Sequence, residues 1–337
     1  MNTIPSTFSQ ALPPYTAVGG TERLGSTGLS AILLNRRGIL FRRGIFQEME
    51  KAGFDYVISL ESAPERYDVE DLSGRFPFVR FVLVPGGLNF GEQINLGASE
   101  VSSPLFFVLW NDLKIITGGG ADRMAERLCL SPEELKKVEG KFREYRRLCT
   151  VPWLLNSRFE THPTLAAPAV YRKNVRTLVF APRREGLPSL YPFDGVGIYD
   201  RERFIDLGGF DPLIRNPYWQ LMDFGFRAHL WGEEISATQH IKLSSEGAIP
   251  VEDNTIDESY RRFYLKNIAP VFRDNQAHLP WRRFPAYLAN SNWDLFGAWE
   301  EFNEARRWVK DNRKRWKRDA RTLNDSWEDV GAPPEED

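Results

Sequence analysis

The sequence predicts an α/β protein with a doubly wound, mostly parallel sheet, and three observations support this fold class. Short apolar runs typical of buried strands alternate with segments of helical spacing from Leu29 to Trp110. A glycine-rich turn precedes a helix start at Asn89, and an acidic residue, Asp112, follows the last apolar run. Because open α/β sheets bind ligands at the carboxyl ends of their strands, we expect the functional site at this edge.

The composition indicates a folded protein without a bias towards polyanions. The 337 residues are 42% hydrophobic and 13% aromatic, which excludes wholesale disorder. The net charge of −2 gives no reason to expect nucleic acid as a partner. Cys129 and Cys149 are the only cysteines, so a disulfide scaffold is excluded and a reducing cytoplasm is the expected location. No uncharged apolar run approaches the roughly 20 residues needed to span a bilayer.

Four strands and a helix are predicted in order along the first third of the chain. Residues 1–27 carry prolines, serines and glycines without periodicity and are expected to form a flexible arm. The strands are Leu29–Leu34, Asp55–Leu60, Val79–Val84 and Leu105–Trp110, and helical spacing extends from Ile39 to Ala52. Their alternation predicts right-handed crossovers within one sheet.

A helix, a strand and a loop are predicted next. Ser131-Pro132 is typical of a capped helix start, and this charged helix is expected to run to about Leu148. Leu165–Val170 is predicted to be a strand, and the stretch Val175–Pro192 is predicted to be rich in loops. The domain predicted from all these elements covers residues 28–275.

Residues 276–337 are predicted to be a C-terminal amphipathic helical extension with a disordered acidic tail. Apolar residues recur every seven positions between Trp293 and Trp327, at Phe302, Val309, Trp316 and Leu323. This stripe can pack on the rest of the chain or on another copy in a homo-oligomer. The basic run 313–318 can instead make peripheral contact with an anionic membrane surface. Nearby acidic residues dilute that charge, which favours packing.

The residues around Asn89 and Asp112 predict an anion site that a metal ion can complete. A helix that begins near Asn89 presents free backbone N–H groups and the positive end of its dipole, which suit a phosphate. Asp112 follows a strand, where a carboxylate can hold a divalent cation and, through it, a diphosphate. Asp112 can equally serve as the cap of a turn or helix.

Four motifs occur in order between Leu29 and Val271. They are Asn89-x-Gly91-x-x-x-Asn95-x-Gly97, Asn111-Asp112, Gly208-Gly209-Phe210-Asp211, and Asp223-x-x-x-Arg227 with Gly232. Together they resemble the GT-A fold of family-2 glycosyltransferases, a Rossmann-like sheet flanked by helices. This resemblance implies transfer of a sugar from a nucleotide-diphosphate donor to a glycan or lipid-linked acceptor.

The resemblance also implies which residues contact the donor. Asn89, Gly91, Asn95 and Asn111 match positions in or beside the donor-side motifs. Glu61 follows a predicted strand and falls near the acidic residue that contacts the nucleotide base or ribose in the family. As an alternative, Glu61 can be an ordinary surface acid after a strand.

The metal site that the resemblance implies departs from the family pattern. Asp112 matches the final Asp of the D-x-D motif that binds Mg²⁺ or Mn²⁺, but Trp110 stands where the first Asp is expected. His240 lies where some relatives carry a histidine that helps to bind the metal or the diphosphate. It can also be an ordinary polar residue. The departure at Trp110 weakens the expected metal binding without excluding it.

The catalytic base departs from the family pattern as well. An inverting transferase of this kind uses a carboxylate to remove the proton of the acceptor hydroxyl. Gln220-Leu221 occupies the place of the Glu-Asp pair that carries this base. Asp223 is then the candidate base, although it can also support its helix or pair with Arg227 four residues on. Asp194, Asp211 and Arg227 are the implied acceptor-side residues.

Three functions remain open from the sequence. The leading interpretation is an inverting glycosyltransferase assisted by a divalent cation. The alternative is a catalytically inactive nucleotide-sugar or carbohydrate-binding scaffold of the same fold, which Trp110 and Gln220-Leu221 favour. A nucleotidyltransferase would need a glycine-rich triphosphate loop near the first strand, of which Asn35-Arg36-Arg37-Gly38 is a poor version.

Overall fold

The structure, a computed structural model, describes most of the chain. The described residues are 13–25, 27–36, 43–61, 69–84, 86–117, 147–156, 158–171, 174–245, 251–289 and 295–327. The predicted helix that begins at Ser131 and the acidic tail after Trp327 lie outside these residues.

The strands and helices follow one another in the alternating order predicted for the first third of the chain. The strands are β1 (Thr16–Gly19), β2 (Leu29–Leu34), β3 (Val57–Glu61), β4 (Val79–Leu83), β5 (Leu105–Trp110), β6 (Leu113–Thr117), β7 (Cys149–Leu155), β8 (Leu165–Tyr171), β9 (Asn174–Phe180), β10 (Gly197–Asp200), β11 (Ile235–Ser245), β12 (Val271–Arg273) and β13 (Gln276–His278). The helices are α1 (Arg43–Ala52), α2 (Val69–Arg75), α3 (Phe90–Glu100), α4 (Arg201–Leu207), α5 (Pro217–Trp231), α6 (Glu258–Phe263), α7 (Phe284–Ala289), α8 (Leu295–Asn312) and α9 (Ala320–Asp325).

Nine strands form one central sheet in the order β1-β4-β3-β2-β5-β10-β7-β11-β6. The neighbours β4, β3, β2 and β5 are parallel, and β7 and β11 are parallel to each other. β10 runs antiparallel to both β5 and β7, so the two parallel groups point in the same direction. β1 and β6 are antiparallel edge strands. The predicted α/β class with a mostly parallel sheet is therefore confirmed.

Burial on both faces explains why β2, β3 and β5 could be predicted from the sequence. Every residue of β2, β3 and β5 is buried, as expected for parallel strands covered on both sides. On one side, α3 approaches β2 closely at Gly97. A Cβ atom on Gly97 would lie 2.7 Å from Cγ2 of Ile32, so this contact requires glycine. The close approach holds the start of α3 beside the carboxyl edge of the sheet.

Two segments differ from the prediction. Thr16–Gly19 forms the edge strand β1 on β4, so the flexible-arm prediction is wrong for these residues. The predicted loop after Val175 contains β9, which pairs with β8 in a separate two-stranded hairpin. Both strands lack the buried alternation that reveals a strand, because β1 is only partly buried and Leu178 and Val179 of β9 are exposed.

Between Leu295 and Trp327, the C-terminal extension contains two helices where one long helix was predicted. α8 ends at Asn312, and α9 begins after Asp319, whose side chain accepts a hydrogen bond from the backbone N–H of Thr322. The predicted stripe of Phe302, Val309, Trp316 and Leu323 is buried, with 2% exposure or less. The packing interpretation of this stripe is therefore confirmed.

The extension packs on the end of α5. The ring of Trp308 stacks on Trp231 with 6.0 Å between centroids, and the backbone N–H of Lys317 donates to the carbonyl of Leu230 at 2.8 Å. Because the apolar stripe is used within the chain, it is not available to a membrane or to a second copy. Among the helices that the structure describes, none is long and apolar enough to cross a bilayer.

Candidate nucleotide-sugar site

The site lies at the topological switch point of the sheet. Along the chain, β2, β3 and β4 are placed successively in one direction, and the connection through α3 then returns to place β5 on the other side of β2. The carboxyl ends of β2 and β5 therefore flank a crevice, which is where open α/β sheets bind ligands. Arg36 follows β2 at this crevice, and Asn111 and Asp112 follow β5.

Arg36 forms ion pairs with two carboxylates in the crevice. Its Nε lies 3.0 Å from Oδ2 of Asp112, and a terminal nitrogen lies 2.6 Å from Oδ2 of Asp194. The three side chains are only 13% to 18% exposed, so water screens these charges weakly. The guanidinium carbon lies 4.2 Å from the ring centroid of Trp110. Trp110 therefore supports a cation at the position where the family pattern places a carboxylate.

A tight turn over Phe193–Gly195 brings Asp194 to Arg36. Asp194 has a φ of 53° and Gly195 a φ of 68°, both in the left-handed region. Asp tolerates the left-handed conformation better than most residues. Position 195 requires glycine, because a Cβ atom there would lie 2.3 Å from Cζ of Phe90. The Trp110 indole N–H donates to the Asp194 carbonyl oxygen at 3.0 Å, which fixes the turn against β5.

Two opposing effects, burial and the positive charge of Arg36, determine the pKa of Asp194. Burial raises the pKa of Asp194 to about 6, although the charge and hydrogen bond of Arg36 act in the opposite direction. The negative charge of Asp112 adds to the increase. The side chain of Asp194 is therefore mostly ionised above about pH 6.

Two cavities open beside Arg36 and Asp194. The larger has a volume of about 240 Å³, and its walls include Phe90, Trp110, Phe193, Tyr218, Leu221 and Glu252. The other is a narrow cleft of about 20 Å³ between Asp112 and apolar side chains of β7 and β11. Mostly apolar walls with a few convergent polar groups are typical of small-molecule sites.

Asn89 and Gly91 attach α3 to α5. Asn89 caps α3 through its side chain, which accepts from the backbone N–H of Glu92. The buried amide of Gln220 accepts from the Gly91 backbone N–H at 2.9 Å and donates to Asn89 Oδ1 and to the Asp211 carbonyl. Asn89 and Gly91 therefore have roles in the fold, and their predicted donor contacts stay predictions.

Asn95 attaches the same helix to the glycine turn at 208–211. Its Nδ2 donates to the Phe210 carbonyl at 2.8 Å, and its Oδ1 accepts from the Phe210 backbone N–H at 2.9 Å. A Cβ atom on Gly209 would lie 2.3 Å from Asn95 Oδ1, which explains glycine there. Asn95 therefore has a role in packing, and its predicted donor contact stays a prediction.

Asn111 and Glu61 lie at the carboxyl edge of the sheet and are nearly buried. Asn111 Oδ1 accepts from the backbone N–H of Arg36 at 3.2 Å, so Asn111 positions Arg36. Glu61 is 6% exposed and accepts from the hydroxyl of Ser59 at 2.7 Å. Direct donor contacts of Asn111 and Glu61 stay predictions.

Asp223 lies in a buried network of charges below the site. Its Oδ2 accepts from Arg227 at 2.9 Å, and its Oδ1 lies 2.8 Å from both Lys266 Nζ and Asn267 Nδ2. Lys266 also pairs with Asp211 at 2.9 Å. All five side chains are buried, with at most 1% exposure. The structure therefore shows a structural role for Asp223, Asp211 and Arg227, and their predicted roles as base and acceptor-side residues stay predictions.

This network also sets the charge of Asp223 and supports the neighbouring turn. Burial alone would raise the pKa of Asp223, but the charges of Lys266 and Arg227 outweigh burial and lower the pKa to about 2. Arg227 donates to the carbonyl oxygens of Leu207 and Gly209 at 2.6 and 2.7 Å. A carboxylate with so low a pKa is a weak proton acceptor at neutral pH.

The predicted metal ligands are only partly brought together. Asp112 is in the crevice, where the second carboxylate is that of Asp194, whereas His240 is exposed in the irregular stretch of β11 between Thr238 and Lys242. Within the described ranges, no group of three or more His, Cys, Asp or Glu side chains is arranged to hold a metal. The two carboxylates that converge on Arg36, those of Asp112 and Asp194, are nevertheless suitable ligands for Mg²⁺ or Mn²⁺. Such ions bind through one or two carboxylates together with substrate phosphates.

Three residues of the site were missed by the sequence analysis. Arg36 was considered only as part of a poor phosphate loop, although its position directly after a buried strand is the same signal that identified Asp112. Tyr218 and Glu252 line the larger cavity but are distant in sequence from each other and from the motifs. The sequence carries no local pattern that would have placed them there.

Comparisons with known proteins found only weak structural matches. No protein-family model and no curated protein sequence matches the chain. The crystal structure of GalNAc-T7 with UDP, GalNAc and Mn²⁺ matches with a TM-score of 0.47 and 11% identity, over 71% of this chain and 50% of that chain. The complex of S. aureus TarS 1-349 with UDP-GlcNAc matches with a TM-score of 0.45 and 12% identity, over 70% of this chain and 64% of that chain.

A longer S. aureus TarS structure matches with a TM-score of 0.44, and this chain covers 38% of it. The TM-scores of these three matches are below 0.5 and their identities are 11–12%. The α/β architecture of this chain therefore rests on its own sheet topology. The matches carry no argument about donor, acceptor or mechanism.

Proposed function

We propose that the protein is a glycosyltransferase that uses a nucleotide-diphosphate sugar and inverts the anomeric centre. The observation that carries this proposal is the convergence of Asp112 and Asp194 on Arg36 at the topological switch point. The adjoining cavity of about 240 Å³ is large enough for part of a nucleotide sugar and has aromatic walls. Aromatic walls suit a nucleobase or the apolar face of a sugar.

The charges of the site support a diphosphate bound together with a divalent cation. One guanidinium and two carboxylates give the cluster a net charge of −1 above about pH 6. We propose that Asp112 and Asp194 hold Mg²⁺ or Mn²⁺, an ion that would neutralise negative charge on the leaving diphosphate. Arg36 adds a second positive charge with N–H groups that match phosphate oxygens.

The proposal also includes the acceptor and the location of the protein in the cell. A glycan or lipid-linked acceptor would enter the larger cavity, and no nucleic-acid partner is expected because the net charge is −2. We propose a cytoplasmic protein. Peripheral membrane contact or association of two copies would use the exposed aromatic residues Trp281, Phe296 and Trp299, since the apolar stripe of α8 and α9 is buried.

A second candidate function is a nucleotide-sugar-binding scaffold without catalysis. The observation that favours it is Leu221, which lines the larger cavity at the position where the family resemblance places the base. Gln220 beside it is buried and occupied by Asn89, Gly91 and Asp211. Neither residue can accept a proton from an acceptor.

Thermal unfolding with a panel of UDP-, GDP-, dTDP- and CMP-sugars, each with Mn²⁺ and with a chelator, tests the proposal. A ligand at 100 times its dissociation constant adds ~2.7 kcal/mol to the free energy of unfolding. We expect a metal-dependent increase of the melting temperature with one nucleotide class. Stabilisation without release of the nucleoside diphosphate would favour the scaffold, and no stabilisation by any donor would contradict both functions.

A further inference from the structure

The larger cavity contains a carboxylate that the sequence motifs do not include. Glu252 lines this cavity together with Leu221, Asp194 and Tyr218. Its side chain is half-buried, while the residues on either side of it, Val251 and Asp253, are exposed. Glu252 therefore points a carboxylate into the same space that Leu221 faces, where the expected base is missing.

Tyr191 holds the Glu252 carboxylate in place. The Tyr191 hydroxyl lies 2.9 Å from Oε1 and 3.0 Å from Oε2, and Tyr191 itself is 1% exposed. A hydroxyl donates only one proton, and within the part of the chain that the structure describes no second hydrogen bond to the Glu252 carboxylate is present, which leaves lone pairs for a bound hydroxyl group. An anchor that is rigid and buried restricts the carboxylate to a small region of the cavity.

The chain around Glu252 is fixed to the start of α5. Asn216 caps α5, and its Nδ2 donates to the Asp253 carbonyl at 3.1 Å. The indole N–H of Trp219 donates to the Thr255 carbonyl at 2.7 Å. These two bonds hold the segment 251–256 beside the turn of α5 that carries Leu221.

The surroundings of Glu252 raise the pKa of its carboxyl above the ordinary value. Burial raises the pKa of Glu252, the Tyr191 hydrogen bond lowers it, and the charge of Asp194 raises it again. Tyr218 and Arg36 also line the cavity. A base whose pKa lies closer to neutrality accepts a proton more effectively than one with the usual carboxyl pKa.

We propose that Glu252 is the general base of the transfer reaction, in place of the missing carboxylate at Leu221. This inference rests on the proposed function. The acceptor hydroxyl transfers its proton to the Glu252 carboxylate as its oxygen forms a bond to the anomeric carbon of the donor. The bond from that carbon to the diphosphate oxygen breaks, and the nucleoside diphosphate leaves with the electron pair.

Glu252→Gln tests the proposal with a change that keeps the shape of the side chain. The rate is measured as release of nucleoside diphosphate from UDP-GlcNAc, UDP-GalNAc, GDP-mannose and dTDP-glucose, with water as the acceptor. We expect kcat to fall by about 10²–10⁴ while KM and the affinity for the free nucleoside diphosphate are unchanged. Glu300→Gln, an exposed substitution of the same type on α8, is the control and should leave the rate unchanged.

Tyr191→Phe tests whether Glu252 acts as the base, because a purely structural role of Glu252 would leave the pH–rate profile unchanged. Removing the hydroxyl removes the hydrogen bond that lowers the pKa of Glu252. The acid limb of the pH–rate profile should therefore shift to higher pH, with the unfolding midpoint checked in parallel. An unshifted acid limb in a folded variant would overturn the assignment.

The outcomes separate this proposal from the proposed function. If the wild-type protein releases nucleoside diphosphate and Glu252→Gln releases it at the same rate, Glu252 is not the base but the glycosyltransferase function stands. If the wild-type protein binds and turns over none of the four donors, the proposed function fails and the assignment of Glu252 fails with it.

Discussion

Single residues at the site divide into those that touch the cavities and those that shape them. Asp112 was identified from its place after a buried strand, and the structure puts it in the crevice with Arg36. Asn89, Gly91 and Asn95 were recognised as a motif, but their polar groups turn inward to α5 and the 208–211 turn. Spacing along the chain identifies such residues without showing the direction in which their polar groups point.

Gly91 should be intolerant of a side chain although it lies in a helix. A Cβ atom there would lie 2.5 Å from Phe210 Cβ and 2.6 Å from the Gln220 amide. We expect Gly91→Ala to lower the free energy of unfolding by about 1–3 kcal/mol, despite the ~1 kcal/mol gain in helix propensity. The control is Gly44→Ala in α1, where nothing lies within 4 Å, and equal midpoints in urea would contradict the expected difference.

Asp223 should matter for stability more than for turnover. Removing one partner of a buried ion pair costs about 3–5 kcal/mol, so Asp223→Asn should be strongly destabilising at pH 7, whereas Asp206→Asn at an exposed position should not. Because the folded pKa of Asp223 is lowered from 3.8 to about 2, its stabilising effect is complete above about pH 4 and is lost as the pH falls towards 2.

Urea unfolding of both variants between pH 2 and pH 7 measures this effect. The acid loss of stability should be smaller in Asp223→Asn than in the wild-type protein. A variant with wild-type stability and greatly reduced release of nucleoside diphosphate would instead return Asp223 to the role of base.

Among the buried strands, those with long apolar runs were predicted with the observed bounds, and others were not predicted. β2 and β5 have the predicted bounds because their composition is almost entirely apolar, whereas β7 and β10 are also largely buried but were not predicted. β1 and β9 were missed because their pairing, and not their composition, makes them strands. The helix predicted from Trp293 to Trp327 is interrupted between Asn312 and Asp319. The sequence pattern does not reveal this interruption, because the heptad spacing of apolar residues continues through the turn.

The extension should be part of the folded core. Trp316 is 2% exposed and Trp299 is 50% exposed, which makes them a matched pair of large-to-small substitutions. We expect Trp316→Ala to lower the free energy of unfolding by about 3–5 kcal/mol and Trp299→Ala to lower it much less. Urea denaturation of the full chain measures both, and similar small effects would show that the extension unfolds independently.

At the scale of the whole molecule, topology decides where the chemistry lies. The return from β4 to β5 across β2 creates one crevice, and Arg36, Asp112 and Asp194 converge there from three separate parts of the chain. The sequence predicted the edge of the sheet and named two of these residues, Asp112 and Asp194, as site residues. It could not predict Arg36 and Glu252 as partners of the site, because their contacts depend on the packing of segments far apart in sequence.

Calorimetric titration of UDP, GDP and dTDP in the presence of Mn²⁺ tests the central claim most directly. The wild-type protein and Asp206→Asn should bind one of these nucleotides with equal affinity, and Asp112→Asn should lose at least about tenfold, which corresponds to ~1.4 kcal/mol. Unchanged affinity in Asp112→Asn, or no binding of any nucleoside diphosphate by the wild-type protein, would contradict a nucleotide-sugar site at the carboxyl ends of β2 and β5.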